Sequence, residues 1–258
     1  MEWGEAKAIL RSENAHMGEM AVDEELCTRC GLCMENCPFR AWEEDEGEIP
    51  RMKAGHECFS CYNCMAACPV DAIKIVKPYT VDDGYWKTEP GPLPYAPPRA
   101  PLDAEGKPDS WTVIERAVFE RRSVRNFKPD PVPEPLIRRV LEAGRFAPSG
   151  GNCQPWKFVV VTDRALIEEM NEAIWSVLNM LYQMYIDDAQ VQNLVPLAEQ
   201  NPNLFDPRII LGGLGAISRR TGPVFLNGPA VILMACDDRA IGGPEIQAGI
   251  CGQNMNLV

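Results

Sequence analysis

Eight of the eleven cysteines in this 258-residue chain fall into a repeat that leaves the fold little freedom. Cys27, Cys30, Cys33 and Cys37 follow C-x2-C-x2-C-x3-C, closed by Pro38; Cys58, Cys61, Cys64 and Cys68, closed by Pro69, repeat it with every position displaced by 31. Two-residue gaps let three thiolates of one tight loop take three corners of a cubane, while the fourth, carried off by the turn before proline, reaches the neighbouring cubane. On this crossed pattern one [4Fe-4S] cluster takes Cys27, Cys30, Cys33 and Cys68, and the other takes Cys58, Cys61, Cys64 and Cys37. The competing reading is a pair of zinc knuckles, but zinc uses two C-x2-C pairs per ion and has no use for a third cysteine at this step.

Disulfides would be the reading of so many cysteines in a secreted chain; a regular array in a reducing compartment reads as metal ligation. The opening "MEWGEAKAIL" carries Glu2 and Glu5 where a secretory signal carries positive charge, and apolar runs such as "AVILMAC" are too short to span a bilayer. The expectation is a soluble, cytoplasmic protein with no membrane contact. A net charge of -12 argues against a nucleic-acid or anionic-membrane surface, each of which needs a basic face. The acidity is densest around the cysteines: residues 1–77 hold 8 Lys+Arg against 15 Asp+Glu, and residues 78–258 hold 17 against 22. With 46% hydrophobic residues the chain can bury a core, and its length suggests two domains.

Residues 21–77, from "VDEELCTRCGLC" to "CPVDAIKIV", resemble a bacterial two-[4Fe-4S] ferredoxin. The first half reads "CPFRAW" where the second reads "CPVDAI", a departure that touches no ligand. The acidic run "EEDEGE" from Glu43 to Glu48 reads as solvated surface, with a docking face for a basic partner as the alternative. His16 and His56 lack a metal-type partner motif and read as surface or packing residues.

From Pro78 to Ser110 eight prolines and no sustained periodicity describe a semi-rigid spacer or a strap, and Tyr79, Tyr85, Trp86 and Tyr95 favour the strap. Beyond it Thr112 and Glu115 can form a capping box ahead of a helix with the apolar stripe Val113, Ile114, Ala117 and Val118. "PEPLIRRVLEAGRF" predicts a second helix facing inward with Leu136, Ile137, Val140 and Leu141. "KFVVVT" and "PAVILMACDD" predict buried strands, Asp163 opens a long helix, and Pro244 falls in the first turn of a last one. The stretch 188–228 yields only short helical pieces, and its "LGGLG" lacks the preceding strand and full glycine pattern of a phosphate loop.

Two segments carry chemistry. "RRSVR" gathers three arginines and a hydroxyl, forked donors suited to a phosphate dianion, each charge-assisted bond contributing roughly 1.5 to 3 kcal/mol. Alone it reads better as a solvated basic helix end. The balance is changed by "APSGGNCQPW", where Gly150 and Gly151 permit close backbone approach and Ser149, Asn152 and Gln154 offer neutral hydrogen-bonding groups to a flat heterocycle. Together "RRSVRNF", "APSGGNCQPWKFVVVTD", "GPAVILMACDD" and "QAGICGQNMNL" resemble the nitroreductase family of FMN-dependent oxidoreductases over residues 112–258. That resemblance implies that Arg121, Arg122, Ser123 and Arg125 hold the FMN phosphate and pyrimidine edge. It implies too that Pro148, Ser149, Gly150, Asn152 and Gln154 lie against the flavin across a homodimer interface. Trp156, Cys236 and Cys251 are expected to be packing residues, and so is Cys153, with a reactive thiol near the flavin as its alternative.

The expected architecture is α+β: a ferredoxin-like two-cluster domain over residues 1–77 (core 21–77), a strap over 78–110, and a nitroreductase-type domain over 111–258 with a mixed central sheet flanked by helices. The family continues past "QNMNLV" through another helix, a strand and a basic segment that also touches the phosphate. A fragment is therefore expected, with completion by another polypeptide as the alternative. The implied cofactors are two [4Fe-4S] clusters and FMN. The implied function is reduction of an electron-poor small molecule such as a nitroaromatic, quinone or activated alkene, with ferredoxin or NAD(P)H as donor, in an anaerobe. The alternative is an electron-transfer subunit of a larger redox complex with no free substrate. No side chain is assigned as a general acid, since the chemistry is centred on the flavin.

Overall fold

The computed structural model describes residues 3–56, 58–89, 100–121, 123–220 and 223–258. Along the chain the elements run α1 (Trp3–Leu10), β1 (Ala15–His16), β2 (Glu19–Val22), α2 (Leu32–Glu35), β3 (Trp42–Glu43), β4 (Arg51–Met52), α3 (Asn63–Ala67), β5 (Ile73–Lys77), β6 (Thr80–Val81), α4 (Val113–Glu120) and α5 (Glu134–Arg145). They continue with β7 (Trp156–Val161), α6 (Arg164–Ile186), α7 (Asp188–Val191), α8 (Val195–Gln200), α9 (Gly215–Ser218), β8 (Val231–Cys236) and α10 (Pro244–Asn256). Residues 1–96, 124–126 and 170–226 form one compact unit; 97–123, 127–169 and 227–258 form a second.

In the first unit the sequence repeat recurs in the backbone. Helix α3 follows α2 by the same 31 residues, and the residue before each helix is left-handed: Gly31 with φ 72° and Tyr62 with φ 57°. Two further left-handed pairs share that spacing, Arg29 with Ser60 and Arg40 with Asp71. Glycine adopts such angles freely, so the non-glycine positions are held there by their surroundings. Strands β2 and β5 pair antiparallel across the base, with Val22 opposite Ile73 and Met20 opposite Ile75. A core of Met20, Ala41, Trp42 and Ile73 closes around buried Cys33 and Cys64.

The same unit explains the stretch that reads poorly as sequence. Helix α1 buries Leu10 against Val191, Ala198 and Phe205. Arg11 donates to the carbonyl oxygens of Tyr185 (3.0 Å) and Ile186 (2.6 Å), and Lys7 pairs with Asp188 at 3.2 Å. "LGGLG" lies in a π-helical turn, Ile209–Leu214, running into α9, and a Cβ on Gly212 would come within 3.0 Å of the Phe59 ring. The start of the proline-rich segment packs here too: Tyr79 N donates to Ser60 Oγ at 2.8 Å, and Trp86 lies 6.0 Å from the Arg208 guanidinium. Tyr95 and its neighbours from 90 to 99 lie outside the described residues.

The second unit holds the antiparallel pair β7–β8, Trp156 opposite Cys236 through Val161 opposite Val231. These strands are not buried throughout as their apolar runs predict: Trp156 and Val231 are covered, whereas Val159 is 56% and Leu233 41% exposed. The face carrying Trp156 packs with Ala147 and Cys251, whereas the opposite face is open at Val159 and Leu233 and covered at its end pair, Val161 and Val231. Helix α4 forms with its capping box intact, Thr112 Oγ1 accepting from Glu115 N at 3.2 Å and Thr112 N donating to Glu115 Oε2 at 2.8 Å. Its expected inward stripe is exposed, Val113 by 84% and Ile114 by 76%. In α5, likewise, Ile137 is buried and Leu136 is not. Local sequence decided where these helices start; which face is covered depends on elements remote in the chain. Asp163 opens α6 by accepting from Leu166 N at 2.9 Å, and Pro244 stands at the first position of α10.

Candidate cluster and flavin sites

The eight repeat cysteines separate into two groups. Cys27, Cys30, Cys33 and Cys68 line one pocket whose other walls include Val22, Pro50, Val70, Ala72 and Ile73. Cys37, Cys58, Cys61 and Cys64 form the other: burial, together with the nearness of Cys61, Cys37 and Cys58, pushes the Cys64 thiol up to about 12. Burial, helped by the nearness of Cys27 and Cys30, pushes Cys33 up to about 11. The fourth cysteine of each half is presented identically. Ala41 N donates to Cys37 Sγ at 3.2 Å, and Ala72 N to Cys68 Sγ at 3.2 Å.

These residues fit iron-sulfur clusters. Four cysteines drawn from both halves and spread around one apolar pocket suit the separate corners of a cubane. Buried thiols with raised pKa values stay protonated alone; bound iron would supply the positive charge that ionises them. Phe39 and Phe59, each close in sequence to a cysteine of the second group, pack at 4.6 Å between ring centroids.

The loop after α5 is shaped by its own polar groups. Ser149 Oγ accepts from Gln154 N at 3.0 Å, and Gln154 Nε2 donates to Asn152 Oδ1 at 3.2 Å. Gly151, Asn152 and Gln154 are all left-handed, with φ of 57°, 56° and 45°. Gly150 is required for a different reason: a Cβ there would stand 2.2 Å from the Ile241 carbonyl oxygen. Beneath the loop α5 meets α10 closely, since Cys251 Sγ donates to Gly144 O at 3.3 Å and Asn254 Nδ2 to Ala143 O at 3.2 Å.

The outcome is a rim of outward polar groups: Pro148, Asn152 and Gln154 are exposed, Ser149 and Gly150 half-buried, and a Cβ on Gly151 would meet nothing within 4 Å. Such a rim fits the edge of a flat heterocycle, with open space for close backbone approach. Arg121, the residue capping α4, and Ser123 are exposed and belong to the same unit as the loop; half-buried Arg125 belongs to the other. Arg122 lies outside the described residues. Trp156 and Cys251 are packed as expected, but Cys153 is exposed, its Sγ 3.8 Å from Gln247 Oε1. Gln247 heads the segment "QAGICGQNMNL", but sequence reading gave it no role of its own. The available signal was a polar residue four before Cys251, on the helix face that packs inward.

An α+β chain with paired cysteine loops and a glycine-bearing loop beside a strand pair is thereby defined. A 4Fe-4S dicluster domain model matches residues 26–73. The nitroreductase family model matches residues 118–258, more than half of the chain, which therefore belongs to that family. Among known proteins the chain is 43% identical over 75 residues to an NADH dehydrogenase of Thermus thermophilus, covering 29% of this chain and 34% of that one. A ferredoxin of Pyrobaculum islandicum is 36% identical over 62 residues, 24% of this chain and 57% of its own length. A crystal structure of a nitroreductase with bound FMN from Desulfitobacterium hafniense aligns with a TM-score of 0.38 and 25% identity, covering 55% of this chain and 61% of that one. The chain spans only 34% and 27% of the first two curated relatives it matches. No described helix is long and apolar enough to cross a membrane.

Proposed function

We propose that this protein is an iron-sulfur flavoprotein oxidoreductase that carries electrons between two [4Fe-4S] clusters and FMN to reduce an electron-poor small molecule of the nitroaromatic, quinone or activated-alkene class. The observation that carries the reading is the joint presence, in one chain, of Cys27, Cys30, Cys33 and Cys68 around one apolar pocket and of a nitroreductase segment with an outward polar loop at 148–154. When bound, such clusters pass electrons singly, whereas FMN takes them singly and delivers a pair.

The chain's own residues have separable tasks. Cys27, Cys30, Cys33 and Cys68 hold one cluster, and Cys58, Cys61, Cys64 and Cys37 the other, with the amides of Ala72 and Ala41 stabilising thiolate on Cys68 and Cys37. Arg121, Arg122, Ser123 and Arg125 hold the phosphate end of FMN. Pro148, Ser149, Gly150, Asn152 and Gln154 orient its ring, in a homodimer. The functional division follows the chain: residues 1–77 supply or drain electrons, 78–110 form a strap, and 111–258 carry the flavin. The compartment is the cytoplasm and the donor a reduced ferredoxin or NAD(P)H.

The test is an anaerobic titration of protein loaded with iron, sulfide and FMN, using NADH, NADPH and reduced ferredoxin in turn. Flavin and cluster absorbance are expected to bleach together and to return on addition of a nitroaromatic or an enone. A chain that retains no FMN sinks the proposal. Reduction without reoxidation by any small acceptor, together with stable co-purifying subunits, replaces it with an electron-transfer subunit.

A further inference from the structure

Gln247 stands on the first turns of α10 and is 3% exposed. Its amide is used on both sides. Oε1 accepts from Gly150 N at 3.2 Å, while Nε2 donates to Ile241 O at 2.7 Å and Gly243 O at 3.3 Å. One side chain thus joins the turn that begins at Gly150 to the turn at 241–243, where Gly242 and Gly243 have φ of 91° and 79°. The two turns are in backbone contact at this point, the place where a Cβ on Gly150 would meet Ile241 O at 2.2 Å.

Packing alone does not call for glutamine. Methionine has similar length and volume and would fill the same space. What requires an amide is the pattern of one N–H to be accepted and two carbonyls to be donated to, around a side chain that is itself buried, where its own unpaired groups would be costly. We propose that Gln247 is a positioning residue for the flavin-binding loop: by fixing Gly150 it sets the left-handed turn that turns Asn152 and Gln154 outward toward FMN. The proposal rests on the FMN reading. Gln247 itself touches no reacting atom.

The experiment uses the full chain with its clusters reconstituted, and compares wild type with Gln247→Met and Gln247→Glu. FMN affinity is read from flavin fluorescence, and the exchange rate of the Gly150 amide is read without FMN. Gln247→Met is expected to weaken FMN roughly tenfold and speed Gly150 exchange, with cluster absorbance unchanged. Gln247→Glu provides a reversible version. Burial against two carbonyls raises its carboxyl pKa, so the protonated acid, which can donate, prevails at low pH. Its FMN affinity should therefore approach wild type as pH falls and weaken as pH rises, a dependence that lost packing would not produce.

Wild-type FMN affinity in Gln247→Met overturns the proposal, as does pH-independent affinity in Gln247→Glu. If Gln247→Met fails to fold, the pH profile of Gln247→Glu decides alone. A wild-type chain that binds no FMN defeats the FMN reading separately. In that case unchanged Gly150 exchange in Gln247→Met overturns the hold on the loop as well, and faster exchange preserves it.

Discussion

The cysteine loops and the 148–154 loop solve the same problem with supports at very different distances along the chain. Both use left-handed backbone at non-glycine residues: Arg29, Ser60, Tyr62, Arg40 and Asp71 in the first case, Asn152 and Gln154 in the second. In the cysteine loops the stabilising groups are near at hand, Ala41 N reaching Cys37 Sγ and Ala72 N reaching Cys68 Sγ across four residues. The 148–154 loop has local bonds of its own, Gln154 N to Ser149 Oγ among them, but adds a remote support in Gln247, 97 residues beyond Gly150. A site with local supports declares itself through spacing, whereas one with remote supports shows only its exposed half in the sequence.

The largest effect is expected from removing the fourth cysteine of each half in turn. Cys37→Ala is expected to remove about half of the bound iron, at the expense of the second cluster, and Cys68→Ala to deplete the first; iron analysis with electron paramagnetic resonance distinguishes them. Depletion of the cluster of Cys27 by Cys37→Ala would show that each half serves itself. A smaller effect separates steric from conformational need in the other loop. Gly150→Ala, which drives a Cβ into a backbone oxygen, should cost about 3 kcal/mol in urea unfolding. Its neighbour Gly151→Ala, left-handed but with open space around it, should cost about 1 kcal/mol.

Smaller again, Thr112→Ala removes the capping box of α4 and should cost about 1 kcal/mol, seen as faster amide exchange in its first turn. This change would show that the second unit also contains local devices. The least effect belongs to Asp188. Hydrogen bonding to Lys7, helped by Arg11, holds its carboxyl below the usual carboxylate range. A depressed folded pKa means stability that is present above the ordinary carboxylate pKa of about 4 and is lost as pH falls through the lower value. Acid unfolding followed by tryptophan fluorescence should therefore steepen below about pH 4 in wild type and less so in Asp188→Asn. Equal slopes would leave α7 held by its apolar contacts alone.

Legibility followed the same divide. Thr112 with Glu115, Asp163 before α6 and Pro244 at the head of α10 were readable because a cap and the turn it serves are neighbours. The strands β7 and β8 were placed correctly but read as fully buried, since "KFVVVT" and "VILMAC" do not reveal that only one face meets α10. The segment from Asp188 to Ser218 was opaque because its partners are Leu10, Arg11, Ser12 and Phe59, far back in the chain. For the candidate sites, the cysteine repeat was visible in full. In the 148–154 loop the glycines and polar groups stood out, while Gln247, joined to them by hydrogen bonds alone, did not.

The reach from Gly150 to Gln247 also imposes an order on synthesis. Domains form progressively as the chain leaves the ribosome, amino-terminal parts first. Every cysteine of the repeat has been made once Cys68 is added, so the iron-binding loops can close while most of the chain is still untranslated. The 148–154 loop must wait for α10, and until then Gly150 N and the Ile241 carbonyl lack the amide that joins them. Metal loading can thus begin on the nascent chain well before the second loop can take its shape.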